Sequence, residues 1–483
     1  MYKKALLALM LVMAMLLSSC ALIEKDMDVD RATEIIRMGD TVYTKGQVQG
    51  EVNYQLAYMS TLYAMYGLSY DVTSPSAVAE MQESVIKMLV DDMVTAAKAK
   101  ELGLDILTEE EQAKLEENVQ TSWQSNLDSV KSSYFADSEL TGEELDAAVE
   151  AKAVELGLDR DAITDYEKSR IVADKLRQHV VADVTVSDEE IQAEYDKQVA
   201  DAQTKYTDTP SRYATDVEAQ STIYYRPDGY RMVKQILVAF LDEDKAAVES
   251  LQTSVVAQQS AQTTLTNQLS GLGVTDNLEA LTAQVTVTLE KPEGVSTLAT
   301  VSDLTDTFDE SVTEEVADLV RQLAEAKAKQ TFFEEQLEAA KAKAFAAIDE
   351  AADDVLAQLD AGADWDTLMA EKTQDPGMQG DRFTAKNGYA VSEARTSFDK
   401  AFVDAAMALE KVGDVSPKTK GASGYYILQY TSEVEEGAVA LDEVRDALHD
   451  SLLTTKQNTT YTDTVAQWVE AADVKINRDA LKD

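Results

Sequence analysis

Side chains that commonly carry out covalent or metal chemistry are scarce in this sequence of 483 residues. The chain has one cysteine, Cys20, and two histidines, His179 and His449, which lie far apart. Neither histidine has the spacing of a metal-ligand pair or of a catalytic triad. We therefore expect no metal and no other cofactor, and we interpret both histidines as surface or packing residues.

The position of the cysteine indicates export. Basic residues at the N-terminus precede an apolar run, residues 5–17, that is too short to span a bilayer and ends in Leu17-Ser18-Ser19-Cys20. This arrangement resembles the lipobox of bacterial lipoproteins. The resemblance implies a signal peptide over 1–19, lipidation of Cys20, a tether over 20–34, and a protein held at the extracytoplasmic face of the cell membrane. With the thiol used for lipid, no disulfide, zinc–thiolate or cysteine-nucleophile chemistry remains. An ordinary signal peptide with a chance cysteine is the alternative.

Composition and charge limit the function classes. Hydrophobic residues make up 45% and charged residues 27% of the chain, which predicts real cores, and the length exceeds that of a usual single domain. The formal net charge is −46. Because nucleic acid requires a basic face, we expect no nucleic-acid partner. We interpret the acidity as a means of solubility and self-repulsion at a cell surface.

Helical periodicity predicts a helical module over residues 35–200. Capping-box spacings at Thr108–Glu111 and Ser187–Glu190 mark helix starts. An earlier helix carries tyrosine, methionine and leucine side chains three and four residues apart: Tyr54, Tyr58, Met59, Leu62, Tyr63, Met65 and Tyr66. Core packing is the default interpretation of such a stripe. A surface that binds apolar client segments is the alternative, because methionine and tyrosine are adaptable contact residues.

The pattern changes after residue 200. Residues 201–229 are polar and contain Pro210 and Pro227, which predicts a linker. Residues 231–238 are rich in β-formers and predict a buried strand.

Two helical seams predict an insertion over residues 246–344. Apolar residues recur three and four apart over 248–269 and again over 319–344, and the segment between them contains Pro292 and Gly294. The pattern favours an antiparallel, coiled-coil-like arm. We expect an arm with its own seam to contribute little to the domain beneath it.

Several segments in the second half of the chain share the content and order of one known domain. They are Lys234-Gln235-Ile236-Leu237-Val238, residues 355–368, Lys372–Gly377, Gly380-Asp381, Phe398–Leu409, Gly413-Asp414-Val415-Ser416 and Ser423-Gly424-Tyr425-Tyr426-Ile427-Leu428. These segments resemble parvulin-type peptidyl-prolyl isomerases. The resemblance implies a parvulin α/β domain over 230–432 that is interrupted by the insertion.

The order of the parts resembles extracytoplasmic foldases of the PrsA and SurA type. In that family the N-terminal helices and the C-terminal segment, here 433–483, combine into a chaperone module that carries the isomerase domain. The resemblance implies an α+β fold, with a SurA-like helical module that the C-terminal helix joins. It also implies a membrane-anchored foldase that isomerises X–Pro bonds in unfolded or nascent exported polypeptides. The oligomeric state is not predicted.

The resemblance also implies a set of site residues. By motif position, the proline-binding slot would be lined by Phe398, Phe402 and Met407. The polar catalytic neighbours would be Gln235, Asp375, Ser423 and Tyr426. The isomerisation needs a dry apolar slot for the proline ring and polar groups that act on the carbonyl as amide resonance is lost.

The sequence departs from the family pattern at two positions of that site. Gln235 and Tyr426 replace the two histidines of the family's core network, although each still offers a donor and an acceptor. The basic loop that selects phosphorylated substrates is absent near Phe240–Lys245, so phosphate-directed specificity is not expected. A non-catalytic holdase chaperone with a degenerate parvulin domain is therefore the alternative function.

Overall fold

The computed structural model describes residues 27–395 and 397–481. The expected signal peptide, residues 1–19, and the expected lipidation site, Cys20, lie outside the described residues. At the described end of the expected tether, Met27–Arg31 is a helix and a strand begins at Glu34. Contacts divide the chain into two compact units. One takes in the described residues up to Val186 and from Asp450 onward, and the other is Ser187–His449.

Helices and short antiparallel strands make up the described part of the chain, which confirms the α+β fold class. The helices are α1 (Met27–Arg31), α2 (Lys45–Met65), α3 (Pro75–Glu101), α4 (Glu109–Tyr134), α5 (Glu143–Glu155), α6 (Arg160–Val181), α7 (Asp188–Asp208), α8 (Arg212–Glu218), α9 (Asp242–Gly271), α10 (Leu278–Thr282), α11 (Glu314–Asp360), α12 (Trp365–Lys372), α13 (Phe383–Asn387), α14 (Lys400–Met407) and α15 (Leu441–Ala471). The strands are β1 (Glu34–Met38), β2 (Thr41–Thr44), β3 (Tyr225–Arg226), β4 (Arg231–Ala239), β5 (Val285–Glu290), β6 (Thr300–Asp306), β7 (Tyr389–Val391), β8 (Thr419–Lys420), β9 (Gly424–Glu433), β10 (Gly437–Ala438) and β11 (Lys475–Ile476). Short 3-10 turns lie at Pro376–Met378 and Arg478–Leu481.

A small antiparallel sheet and the helices beside it form one core of the first unit. β1 pairs with β2 on one side and with β11, from the C-terminal end of the chain, on the other. A capping box between Thr44 and Gln47 begins α2 directly after β2. Ile36 and Val48 are fully buried in this core, and Trp468 from the last turn of α15 packs against it. Residues from both ends of the described chain therefore share one core.

The tyrosine and methionine stripe of α2 is mostly outside that core. Val52 and Leu56 lie on the buried face of the helix. Tyr54, Tyr58 and Met65 are 64%, 56% and 78% exposed. The default expectation of core packing is therefore wrong for these three side chains. The helix carries two apolar stripes, and the aliphatic stripe takes the core face.

Residues 201–229 do not form the irregular linker that their polarity suggests. The segment completes α7, forms α8, and places β3 beside β10. Tyr206, Tyr213 and Tyr230 are buried, and successive ring centroids in this series lie 5.4 and 4.7 Å apart in edge-to-face contacts. The Tyr206 hydroxyl donates to Asp216 at 3.0 Å. Tyrosines can pack their rings while keeping hydrogen bonds, so a segment of polar composition is buried here.

The second unit contains an antiparallel sheet of four strands in the order β7-β4-β9-β8. Because side chains alternate along a strand, β4 contributes to a core on each face. Ile236 packs in one core with Trp365 of α12, whereas Leu237 packs in the other with Phe402 of α14. Gln235 shares the parity of Leu237 and so faces the second core. This alternation brings a polar side chain to the α14 side of the sheet.

The insertion consists of two long helices joined by a short helix and a hairpin. Asp244 of α9 accepts a hydrogen bond from Lys343 of α11 at 2.8 Å, and Gln262 donates to Gln330 at 2.6 Å. The two pairs run in opposite order along the helices, which makes α9 and α11 antiparallel. β5 and β6 form a separate two-stranded hairpin between them. This is the antiparallel arm that the seams predict.

The arm shares its core with the domain. α11 continues without a break from the arm to Asp360, so residue 344 is not a boundary. Val248 and Leu251 of α9 and Phe333 of α11 lie in the same buried cluster as Ile236 of the sheet. The expectation that residues 246–344 contribute little to the domain beneath is therefore wrong. The apolar faces of α9 and α11 that pack on each other in the arm also pack against the sheet, so the seam continues into the domain.

Candidate functional site

A small aromatic cavity lies where β4, β7 and β9 meet the start of α14. Its volume is about 210 Å³, below the ~300–1,000 Å³ of common ligand pockets. The lining residues are Gln235, Asp375, Tyr389, Phe398, Asp399, Phe402 and Tyr426. We call this cavity the slot. Its size suits one small ring better than a cofactor.

Four aromatic rings form the apolar wall of the slot. The Phe398 and Phe402 centroids lie 5.1 Å apart with ring planes at 84°. Tyr389 contacts Phe398 at 5.2 Å, and Tyr426 contacts Phe402 at 5.7 Å, both edge to face. Each ring is held by another at a favourable geometry, which makes the wall stiff and dry.

A buried hydrogen-bond network closes the polar end of the slot. Gln235 Nε2 donates to Asp375 Oδ2 at 2.6 Å, and the Tyr389 hydroxyl donates to the same oxygen at 2.9 Å. Gly377 N donates to Asp375 Oδ1 at 2.9 Å. A side chain at Gly377 is excluded, because a Cβ there would lie 1.8 Å from the Tyr389 hydroxyl oxygen. The chain therefore needs glycine beside this carboxylate.

The network leaves one buried acceptor atom free. An ionised carboxylate can only accept hydrogen bonds, so the amide nitrogen of Gln235 must be the atom that faces Asp375. Gln235 is 8% exposed, and its Oε1 has no hydrogen-bond partner among the residues that the structure describes. A buried acceptor without a donor is costly unless a ligand supplies one.

A second polar pair lies at the mouth of the slot. The Tyr426 hydroxyl donates to Asp399 Oδ2 at 3.0 Å, and Ala422 N donates to the same oxygen at 2.6 Å. Asp399 Oδ1 also accepts from Ala401 N at 3.1 Å and so caps α14. Burial, and then the Asp399 carboxylate, raise the pKa of Tyr426 to about 12. Burial, and then Asp375, raise the pKa of Tyr389 above its usual value. Both phenols are therefore proton donors at physiological pH.

Arg395 supports the wall from behind. Its guanidinium lies 4.0 Å from the centre of the Phe398 ring and pairs with Glu218 at 2.8 Å. It also donates to the Ala390 carbonyl at 3.2 Å. Arg395 is buried, and Glu218 ends α8, so the segment expected to be a linker helps to hold the slot.

Five of the predicted site residues line the slot: Gln235, Asp375, Phe398, Phe402 and Tyr426. The other two do not line it. Ser423 is exposed in the turn before β9 and lies beside Tyr426, whose pKa burial raises and the side chain and backbone of Ser423 act to lower. Met407 lines a neighbouring surface cavity with Arg395.

Sequence reasoning missed Tyr389 and Asp399 as site residues. Asp399 directly follows Phe398 in the α14 motif, and its N-capping position was a usable signal. Tyr389 lies in a strand of three residues with no motif of its own.

The described part of the chain offers no cluster of three or more His, Cys, Asp or Glu side chains placed to hold a metal ion. Over residues 27–395 and 397–481, no helix combines the length and the apolar character that crossing a membrane requires.

Comparisons with known proteins give partial matches. No protein-family model matches the sequence. Foldase protein PrsA of Clostridium botulinum is 30% identical over 120 residues, which are 24% of this chain and 34% of that protein. Foldase protein PrsA of Clostridium perfringens is 25% identical over 180 residues, 37% of this chain and 46% of that protein. The chain thus spans between a third and a half of the length of the curated relatives it matches.

The matches among solved structures have low TM-scores. The crystal structure of PrsA from Bacillus subtilis covers 92% of this chain and 95% of its own at 13% identity, with a TM-score of 0.21. A SurA-like chaperone of Campylobacter jejuni covers 73% and 95% at 13% identity, with a TM-score of 0.24. Over the matched stretches, the chain is similar in sequence to these foldase proteins named PrsA.

Proposed function

We propose that this protein is an extracytoplasmic foldase that isomerises X–Pro bonds in unfolded or nascent exported polypeptides. The observation that carries the proposal is the aromatic slot with a buried polar end at Gln235 and Asp375. Similarity to PrsA foldases over part of the chain supports the same class of function. The reaction needs no cofactor, because only the amide resonance is broken and restored.

The slot has the features that this reaction requires. An X–Pro bond rotates slowly because twisting the amide costs ~18–20 kcal/mol, so a catalyst must bind the twisted amide more tightly than the planar one. In the proposed complex, Phe398 and Phe402 hold the proline ring and exclude water. Gln235 Oε1 accepts a backbone N–H of the client beside the proline. Because Asp375 holds the amide nitrogen of Gln235, the accepting oxygen is already oriented when the client arrives.

Two alanine substitutions test this proposal, one just before α14 and one at its last residue. Phe398→Ala removes a wall of the slot and of the neighbouring cavity, and Met407→Ala is a matched control that changes the neighbouring cavity alone. Exchange NMR spectroscopy on a short proline peptide should give a kcat/KM at least about tenfold lower for Phe398→Ala, which corresponds to ~1.4 kcal/mol of transition-state binding. Met407→Ala should stay close to wild type. Equal losses in both variants would contradict the assignment of the slot.

Membrane anchoring through Cys20 is part of the proposal and is supported by the sequence around this residue. A single lipid-bearing thiol would carry the anchor, so Cys20→Ser should lose incorporation of labelled fatty acid and leave the membrane fraction. Incorporation that persists in this variant would overturn the proposed anchor.

A holdase function is the second candidate, and the exposed side chains of α2 favour it. Tyr54, Tyr58 and Met65 present apolar area to solvent on one helix face. Wild-type protein that suppresses client aggregation, yet leaves the X–Pro exchange rate at its uncatalysed value, would establish the holdase in place of the isomerase.

A further inference from the structure

A second cavity lies beside the slot, at the base of the insertion. It has a volume of about 440 Å³. Its lining residues are Gln252, Glu338, Lys341, Ala342, Phe345, Asp399, Lys420, Gly421 and Ala422. One wall comes from α9 and α11, and the other from the turn that joins β8 to β9. Arm and domain thus form the cavity together.

The second cavity adjoins the slot. Asp399 lines both cavities, and the backbone of Ala422 binds it at 2.6 Å between them. Gly421 lies against the Tyr426 ring so closely that a Cβ there would be 1.9 Å from a ring carbon. The Asp399 side chain and the turn at Gly421 and Ala422 therefore form the boundary between the two cavities. An extended polypeptide with its proline in the slot would continue into the second cavity within a few residues.

The charge of the second cavity differs from that of the chain as a whole. The chain has a formal charge of −46, yet two lysines line this cavity. Lys420 Nζ lies 4.9 Å above the Phe345 ring. The Lys418 ammonium, which pairs with Asp349 at 2.8 Å, lowers the pKa of this carboxylate, and the charge of Lys420 helps to lower it. Lys341 pairs at 3.0 Å with Glu338, which is 74% exposed. Such an exposed pair is weak and can exchange its carboxylate for another.

The remaining carboxylate in the cavity is already occupied. Asp399 accepts hydrogen bonds from the Tyr426 hydroxyl and from two backbone N–H groups, those of Ala401 and Ala422. These donors offset its charge locally. The two ammonium groups are therefore the charges available to a ligand.

We propose that the base of the insertion is a second client subsite, which binds an acidic side chain close to the proline in the slot. This inference rests on the proposed function, since it assumes a polypeptide whose proline occupies the slot. The ligand is a carboxylate of an extended peptide, and Lys341 and Lys420 determine the preference. The insertion then acts on substrate choice, in addition to packing on the domain.

Peptide binding to the full chain tests the subsite. The probes are fluorescent decapeptides with one central proline whose two neighbours on each side are all Glu, all Gln or all Lys. By fluorescence anisotropy at about 0.05 M salt, the Glu peptide should bind threefold to tenfold more tightly than the Gln peptide, as about two exposed ion pairs would give. The Lys peptide should bind least well. The differences should shrink at about 0.5 M salt, because these charges are exposed to screening.

Variants assign the preference to the cavity. Lys341→Glu and Lys420→Gln should each reduce the ratio between the Glu and Gln peptides by about threefold while leaving the Gln peptide unaffected. Lys327→Glu is the matched control, exposed on the same helix about 21 Å along its axis from Lys341. Lys341→Gln removes the charge with a smaller perturbation, and thermal unfolding verifies that each variant is folded.

The outcomes separate the subsite from the proposed function. If replacing the proline of the Gln peptide by alanine lowers its affinity, the proline of that peptide occupies the slot. With that dependence present, equal affinities for the Glu and Gln peptides would overturn the subsite alone. A preference for Glu that persists in the lysine variants would do the same. Binding that does not depend on the proline in any peptide would overturn the proposed function and the subsite with it.

Discussion

The side-chain donors around the slot, one amide and two phenols, keep their protons at physiological pH. The Gln235 amide does not titrate in water, and burial raises the pKa values of Tyr389 and Tyr426 above those of ordinary phenols. No histidine is among the described residues that line the slot. A histidine in this position would change charge between about pH 5 and 8. The amide at position 235 removes that change while keeping a donor to Asp375.

This chemistry predicts an isomerase rate that is constant with pH. A raised phenol pKa keeps the donor proton at all pH values below it, and the donor is lost only as the pH rises through the raised value, about 12 for Tyr426. We therefore expect kcat/KM to be flat between about pH 6 and 9. Exchange NMR spectroscopy across this range measures it.

Gln235→His is the control for the pH profile. The imidazole would titrate inside the range, because burial lowers its pKa while the Asp375 carboxylate that faces position 235 raises it, so this variant should show a step between about pH 5 and 8. A wild-type profile with a similar step would show that a titrating group outside the described network governs the reaction.

The helix and strand periods explain which site residues the sequence could locate. Phe398 and Phe402 are four residues apart, so they lie on one side of the α14 segment, and both reach the slot. Met407 is five residues beyond Phe402, about 140° further round the helix, and therefore lines a different cavity. The alternation of side chains along β4 likewise determines which face of the sheet Gln235 lies on. Tyr389 could not be located, since its place depends on the pairing of β7 with β4, which a strand of three residues does not encode.

At the scale of elements, α11 belongs to both the arm and the domain. Its residues Phe345, Ile348 and Val355 pack in the same cluster as Ile236 of the sheet. The predicted boundary lies at residue 344 because the second seam ends there, and the parvulin-like segments resume at residue 355. No physical signal for a break exists at that point, since one amphipathic helix continues through it.

Deletions of two lengths should separate the arm from the shared core. Replacing residues 263–329 by a short Gly/Ser turn removes the outer part and keeps the Gln262–Gln330 contact. This variant should unfold cooperatively with a loss of about 1–2 kcal/mol, because only the partly buried Leu289 and Ala299 leave the shared core and loop closure depends weakly on length. Replacing 246–344 also removes Val248, Leu251 and Phe333 from the core. We expect a loss of several kcal/mol, at about 1.5–3 kcal/mol for each buried side chain, or no folded protein.

Chemical denaturation followed by circular dichroism compares the two deletions. Equal stabilities for the short and the long deletion would contradict the shared core. Loss of cooperative unfolding in the short deletion would show that the outer arm also packs into the domain.

At the scale of the whole molecule, the two candidate activities rest on different units. The slot lies within Ser187–His449, and the exposed face of α2 lies in the unit that contains the N-terminal helices. Sequence periodicity could find the stripe on α2 but could not decide its exposure. The exposure depends on which of the two apolar faces of α2 packs against the core that contains Ile36 and Val48.

Substitutions on α2 should therefore reduce client binding without affecting isomerisation. Tyr54, Tyr58 and Met65 lie within about 40° of one another around the helix and are more than half exposed. Changing all three to glutamine should leave the free energy of unfolding within about 0.5 kcal/mol per site, as for other exposed positions.

If these side chains together contribute about 1 kcal/mol to client binding, the concentration that suppresses aggregation of a chemically unfolded client should rise about fivefold. Light scattering measures it. Ile106→Gln with Val154→Gln is the control, since these residues are also exposed in the same unit but are isolated on different helices or loops. Phe398→Ala should give the opposite result, with aggregation suppressed as in wild type and isomerisation lost. If the α2 variant suppresses aggregation as well as the wild type does, clients bind elsewhere and the exposed stripe has no part in holding them.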